Sequence, residues 1–107
     1  MNLLLNQREI EAGIRTYMAE RSDVLTLHVN VKEFIYGNNT VSSLVEIPHF
    51  PDYILSESEI EEGIAMYLEE HHSFDSAYTK VVLLPNDDLT VLEAVVKVKA
   101  AKVEGEV

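Results

Sequence analysis

Apolar residues recur at helical spacing in two places along the chain. Ile10, Ile14, Tyr17 and Met18 form one stripe and Ile60, Ile64, Tyr67 and Leu68 another, with acidic residues on the opposite side of each. Each stripe predicts an amphipathic helix turned toward a core. Asn6 and Ser56 stand where helix N-caps belong. Glu9 and Glu59 follow three residues later to close capping boxes, and Leu5 with Ile10, or Leu55 with Ile60, supplies a hydrophobic staple. The period then changes to two. Leu25, Leu27, Val29 and Val31 alternate with Thr26, His28, Asn30 and Lys32, which predicts a half-buried strand. Tyr36-Gly37-Asn38-Asn39 is turn chemistry, and Thr40 to Ile47 predicts a returning strand. Ser76 to Leu84, a turn at Pro85-Asn86-Asp87-Asp88, and Leu89 to Val98 repeat the plan.

The parallel between the halves is a duplication. Shifting the chain by fifty positions pairs Leu5 with Leu55, Glu9 with Glu59, Ile10 with Ile60 and Glu11 with Glu61. It also pairs Gly13 with Gly63, Ile14 with Ile64, Tyr17 with Tyr67 and Glu20 with Glu70, giving eight identities in the sixteen positions from 5 to 20. Average residue usage gives roughly one such match by chance. The same offset continues more weakly through Val31/Val81, Thr40/Thr90, Val41/Val91 and Val45/Val95. Residues 1–107 therefore read as one domain built of two tandem repeats, about 4–47 and 54–98. Pro48-His49-Phe50-Pro51-Asp52-Tyr53 is a tether pressed onto the surface, and 99–107 a tail that frays.

The order αββαββ predicts an α+β fold, a four-stranded antiparallel sheet with two helices on one face about a pseudo-two-fold axis. Pairing of αββ units across chains is the dimeric alternative. Gly13 and Gly63 lie inside the predicted helices, where each costs about 1 kcal/mol relative to alanine. Close approach of another backbone explains them better than a ligand site does. Tyr17 and Tyr67 read as core residues with exposed hydroxyls rather than as a ligand clamp.

Composition narrows the function. With 107 residues, 47% hydrophobic and 25% charged, the chain has material for one modest core. The lack of cysteine removes disulfides and thiolate chemistry, and with no signal-like segment the expected location is the cytoplasm. A formal charge of −11 opposes direct contact with nucleic acid or anionic membranes and favours a protein partner with a basic surface. No glycine-rich phosphate loop or nucleophile motif occurs, no catalytic residue or cofactor is assigned, and the reading leans away from an enzyme. Glu69 to His72 has a metal-ligand spacing, but Ala19 and Ser22 occupy the matching positions of the first repeat, so no metal is assigned.

Two surfaces are candidate interfaces. The second helix carries Glu57, Glu59, Glu61, Glu62, Glu69 and Glu70 with no lysine or arginine, and Glu57, Glu61, Glu62, Glu69 and Glu70 form the proposed partner-binding set. The competing account is a solvated face. The second hairpin is greasier than the first, which makes Tyr78, Val82, Leu92, Val96 and Val98 a candidate apolar interface, unless a bulge or register change buries them. The functional expectation is a non-enzymatic acidic protein acting through protein–protein contacts, including inhibitors that imitate nucleic acid, a style found among phage and mobile-element proteins. A small-ligand binder with a site near the pseudo-two-fold or a dimer interface, and a structural homo-oligomer subunit, are the alternatives.

Overall fold

The computed structural model of the chain describes residues 2–37, 39–72, 79–85 and 92–98. Strand β1 (Asn2–Leu5) leads into helix α1 (Gln7–Ser22), and a 3-10 turn (Thr26–His28) leads into the hairpin of β2 (Asn30–Gly37) and β3 (Thr40–Glu46). The second half runs β4 (Tyr53–Leu55), α2 (Glu57–His72), β5 (Thr79–Pro85) and β6 (Leu92–Val98).

Both helices start at their capping boxes. Glu9 N–H donates to Asn6 Oδ1 at 3.0 Å, and Asn6 N–H donates to Glu9 Oε1 at 3.1 Å. Ser56 and Glu59 repeat the exchange at 3.2 and 2.9 Å. Helix α1 stops at Asp23, which adopts a left-handed conformation (φ 57°) and returns its N–H to the Ala19 carbonyl.

The strands depart from the expected plan. In place of one four-stranded sheet there are two three-stranded antiparallel sheets, ordered β1-β6-β5 and β2-β3-β4. The extra strands are the short segments before each helix, read from sequence as a staple and the end of a tether. Each pairs with the last strand of the opposite half: Leu3, Leu4 and Leu5 lie against Val96, Val95 and Ala94, while Tyr53, Ile54 and Leu55 lie against Val45, Leu44 and Ser43. Their backbone groups gain ladder partners that isolated segments of four and three residues could not supply. Each sheet is thus assembled from both halves of the chain.

The strand expected from Leu25 is also shorter. His28 N–H returns to the Leu25 carbonyl and Val29 N–H to the Thr26 carbonyl, closing a 3-10 turn that leaves Leu25 and Leu27 61% and 75% exposed. The alternation there is a surface coincidence, and the strand begins at Asn30.

One buried cluster joins the halves. Its helix contribution is Ile10, Ile14, Met18, Ile60, Ile64 and Leu68, as the stripes predict. Strand β3 supplies Val41, Ser43 and Val45 to it, and β6 supplies Leu92, Ala94 and Val96, fifty-one positions later rather than fifty. A bulge between Val31 and Glu33 in β2 adds a further slip. The ungapped offset therefore fails in the strands, and Leu92 and Val96 point inward with no exposed surface.

The helices meet where the glycines predict. A Cβ added to Gly13 would lie 2.8 Å from Ile64 Cα, and one added to Gly63 would lie 2.5 Å from the Gly13 carbonyl oxygen. The backbones are in contact at this crossing.

Candidate functional site

The carboxylates of α2 fall into three different surroundings. Glu59, beyond its capping role, is the centre of a polar cluster between the helices. Its Oε2 accepts from Tyr53 OH at 2.6 Å, Tyr17 OH at 3.0 Å and Arg21 Nη1 at 3.2 Å. Arg21 also donates to Tyr17 OH at 3.1 Å and lies over the Tyr53 ring at 4.8 Å. Burial by itself raises the Glu59 carboxyl, but the hydrogen bonds from Tyr53, Ser56 and Tyr17 outweigh it and hold the group below the ordinary carboxylate range. The Tyr53 phenol is correspondingly pushed up by its bond to Glu59, and the Tyr17 phenol first by burial and then by the same partner. This cluster ties Tyr53 of β4 and Tyr17 and Arg21 of α1 to Glu59 of α2.

Glu57 has a second structural task. Its Oε1 accepts the Val41 N–H at 3.0 Å, at the start of β3 in the other half. Gln7, fifty positions earlier, accepts the Leu92 N–H at 3.3 Å in the same way. Each helix's first turn thus satisfies a backbone donor at the head of the opposite half's last strand.

Glu57 also borders open surface, together with the remaining carboxylates of α2. A groove of about 510 Å³ runs between α2 and β5, lined by Glu57, Ser58, Glu61 and Glu62 on the helix and by Lys80 and Val82 among others on the strand. Strand β5 pairs with β6 alone among the described residues, so the groove follows a sheet edge. Burial pushes the Glu61 carboxyl up, neighbouring Glu57 adds to the rise, and Lys80 partly offsets it. Glu69 and Glu70 lie exposed at the far end of the helix, with Glu70 4.0 Å from His71. The proposed partner-binding set is consequently not one face: Glu57, Glu61 and Glu62 share the groove, and Glu69 and Glu70 do not line it.

The apolar candidates divide as well. Leu92 and Val96 are core residues and leave the interface set, because the register change weighed against that reading is the one that occurs. Val82 stays on the outward side of its sheet, cross-strand from Val95, which in turn pairs with Leu4. Tyr78 and the Val98 side chain lie outside the described residues. The sequence reading reached Val82 but missed Leu4 and Val95 in the same row, whose signal was the apolar triplet Leu3-Leu4-Leu5 before the first cap.

At the helix crossing a Cβ on Gly63 would also lie 3.0 Å from Tyr17 Cβ, so the side chain of Tyr17 closes over the glycine contact. Among the described residues no helix is long and apolar enough to cross a membrane.

Against known proteins, the chain is 35% identical over 83 residues to an uncharacterized Bacillus subtilis (strain 168) protein, YxcD, an alignment covering 78% of this chain and 81% of that protein. The chain belongs to the YxcD family. No protein-family model matches it, and no solved structure does. The alignment takes in most of both chains and brings no assigned chemistry with it. Among its described residues no group of three or more histidine or acidic side chains is placed to hold a metal ion. The Tyr67 ring instead packs against His71 and His72, with centroids 4.8 and 5.8 Å away.

Proposed function

We propose that the protein is a non-enzymatic binding module that docks a basic, extended segment of a protein partner in the groove between α2 and β5. The observation that carries this reading is the pair of neighbouring carboxylates, Glu57 and Glu61, in a partly desolvated groove beside a sheet edge. Holding two like charges there costs stability, and a lysine or arginine from a partner would relieve the cost. The edge strand offers backbone hydrogen bonds to an extended chain, and the acidic wall selects for positive side chains. The repeat of α1 opposite β2 lacks this character. Its groove is lined by Gln7, Glu11, Lys32 and Glu33 among others, and Glu11 is engaged by Gln7 at 3.3 Å and by Arg15 at 3.8 Å. In this reading the two grooves are copies related by the duplication, and the acidic one is the specialised copy.

The test is a titration of isotopically labelled protein with a peptide of alternating lysine and valine, followed through backbone amide shifts, with a glutamate–valine peptide as control. Saturable shifts along residues 79–85, absent with the control and weakened about tenfold in Glu61→Gln/Glu62→Gln, are expected if each of the two charge contacts contributes about 0.7 kcal/mol. Binding that is unchanged in the double variant, or shifts confined to residues outside the groove, would overturn the reading.

A further inference from the structure

The outward side of the β1-β6-β5 sheet has a layout that goes beyond the groove. The helices cover the side bearing Leu5, Ala94, Val96 and Val81. On the opposite side the strand pairings define three rows. Leu4, Val95 and Val82 form an apolar row across all three strands; Asn2, Lys97 and Lys80 form the row at one end; Glu93 and Leu84 form the row at the other. Leu4 is 65% exposed and Leu84 41%, although both are large apolar side chains. In the β2-β3-β4 sheet the equivalent middle row is Ile54, Leu44 and Glu33, where a charge interrupts the apolar strip. The uninterrupted row is therefore particular to one sheet.

We infer that this face associates with the same face of a second copy of the chain, two-fold symmetrically, along the Leu4-Val95-Val82 row. The charges at its ends select the orientation. A two-fold axis in the interface parallel to β6 would stack Lys97 directly on the partner's Lys97. An axis running along the apolar row keeps Leu4, Val95 and Val82 over their own copies and places Lys97 over the partner's Glu93, twice by symmetry. Like charges are separated and opposite ones joined only in the second case, and sheet-on-sheet packing near −30° accommodates it. Three short strands make an interface smaller than the roughly 800 Å² per partner of standard complexes, so the dimer is weak and reversible. It shares Lys80 and Val82 with the strand wall of the groove, but Leu4, Glu93 and Lys97, the positions that test it, do not line the groove, so its outcome is distinguishable from that of the peptide-docking reading.

Sedimentation equilibrium of the full chain up to about 1 mM, paired with an amide-shift dilution series, reads it out. The expected result is monomer–dimer exchange with concentration-dependent shifts on β1, β5 and β6. Glu93→Lys should weaken dimerisation at least tenfold, and Glu93→Lys/Lys97→Glu should restore it to within about threefold, because the swap rebuilds the inter-copy pairs. Leu4→Glu, at an exposed position, should abolish it while circular dichroism shows the fold retained. A monomer throughout the range, a swap that fails to restore association, or dilution shifts confined to the other sheet would overturn the inference.

Discussion

Replacing Gly63 with alanine separates local from tertiary energetics most sharply. Judged within the helix alone, the change should stabilise by about 1 kcal/mol, because alanine loses less backbone freedom than glycine. The crossing reverses the sign. The new Cβ would stand 2.5 Å from the Gly13 carbonyl oxygen and 3.0 Å from both the Gly13 carbonyl carbon and Tyr17 Cβ. Two of those three atoms are backbone, so a rotamer change cannot clear them. The helices must move apart, loosening Ile10, Ile14, Ile60 and Ile64, all fully buried. Overpacking of this kind costs about 1–3 kcal/mol, and with rigid backbone on one side the upper end applies. Setting the helical gain against it leaves a net loss of about 2 kcal/mol, or roughly 8–16 °C in Tm for a domain near this size. Thermal and urea unfolding followed by circular dichroism measure it. Gly37→Ala is the control, since nothing lies within 4 Å of the added atom, and no comparable loss is expected. Gly13→Ala/Gly63→Ala should lose less than the sum of its parts, because once the helices have separated the second methyl finds room. A Gly63→Ala protein as stable as the parent would refute the close crossing and the reason given for both glycines.

Other consequences concern the carboxylates. Glu57→Ala leaves the part-buried Val41 N–H without its acceptor and should cost about 1–3 kcal/mol, whereas Glu57→Gln keeps an acceptor of the kind Gln7 provides and should stay close to the parent in urea midpoint. The Glu59 carboxyl is held below its ordinary range, so its stabilisation is complete above the unfolded-state pKa and disappears as pH falls through the lowered folded value. Urea midpoints taken from neutral pH downward should therefore fall more steeply in the parent than in Glu59→Gln; equal slopes would show that the tyrosine cluster does not favour the ionised form. For Glu61 the sign is opposite. Its folded pKa is raised, so its favourable contribution is present below the unfolded value and lost as pH rises through the folded one. Glu61→Gln should be more stable than the parent at neutral pH, with the advantage shrinking in acid, even as it weakens binding of the lysine–valine peptide.

The sequence determined those features whose physical cause lies within a few residues. Helix starts followed from Asn6/Glu9 and Ser56/Glu59, where side chain and backbone satisfy each other across three positions. The inward faces of both helices followed from spacing, and the glycine approach from a local cost that only a tertiary contact explains. The likeness of residues 5–20 to residues 55–70 was legible for the same reason, since caps and apolar spacing are local features.

Strand partnership was decided elsewhere. A triplet such as Leu3-Leu4-Leu5 has no local hydrogen bonds to declare it a strand, and its partner β6 lies some ninety residues away. Register depended on the bulge in β2 and the one-position offset between β3 and β6, and a single step turns every side chain to the other face. That step carried Leu92 and Val96 from a supposed surface into the core. The carboxylates were sorted by the same non-local geometry: composition counted six on α2, but only the fold placed Glu59 among tyrosines, Glu57 on a strand N–H and Glu61 in a groove beside Lys80. Charge is a property of the sequence; the surroundings that give each charge its energy are assembled only when distant segments meet.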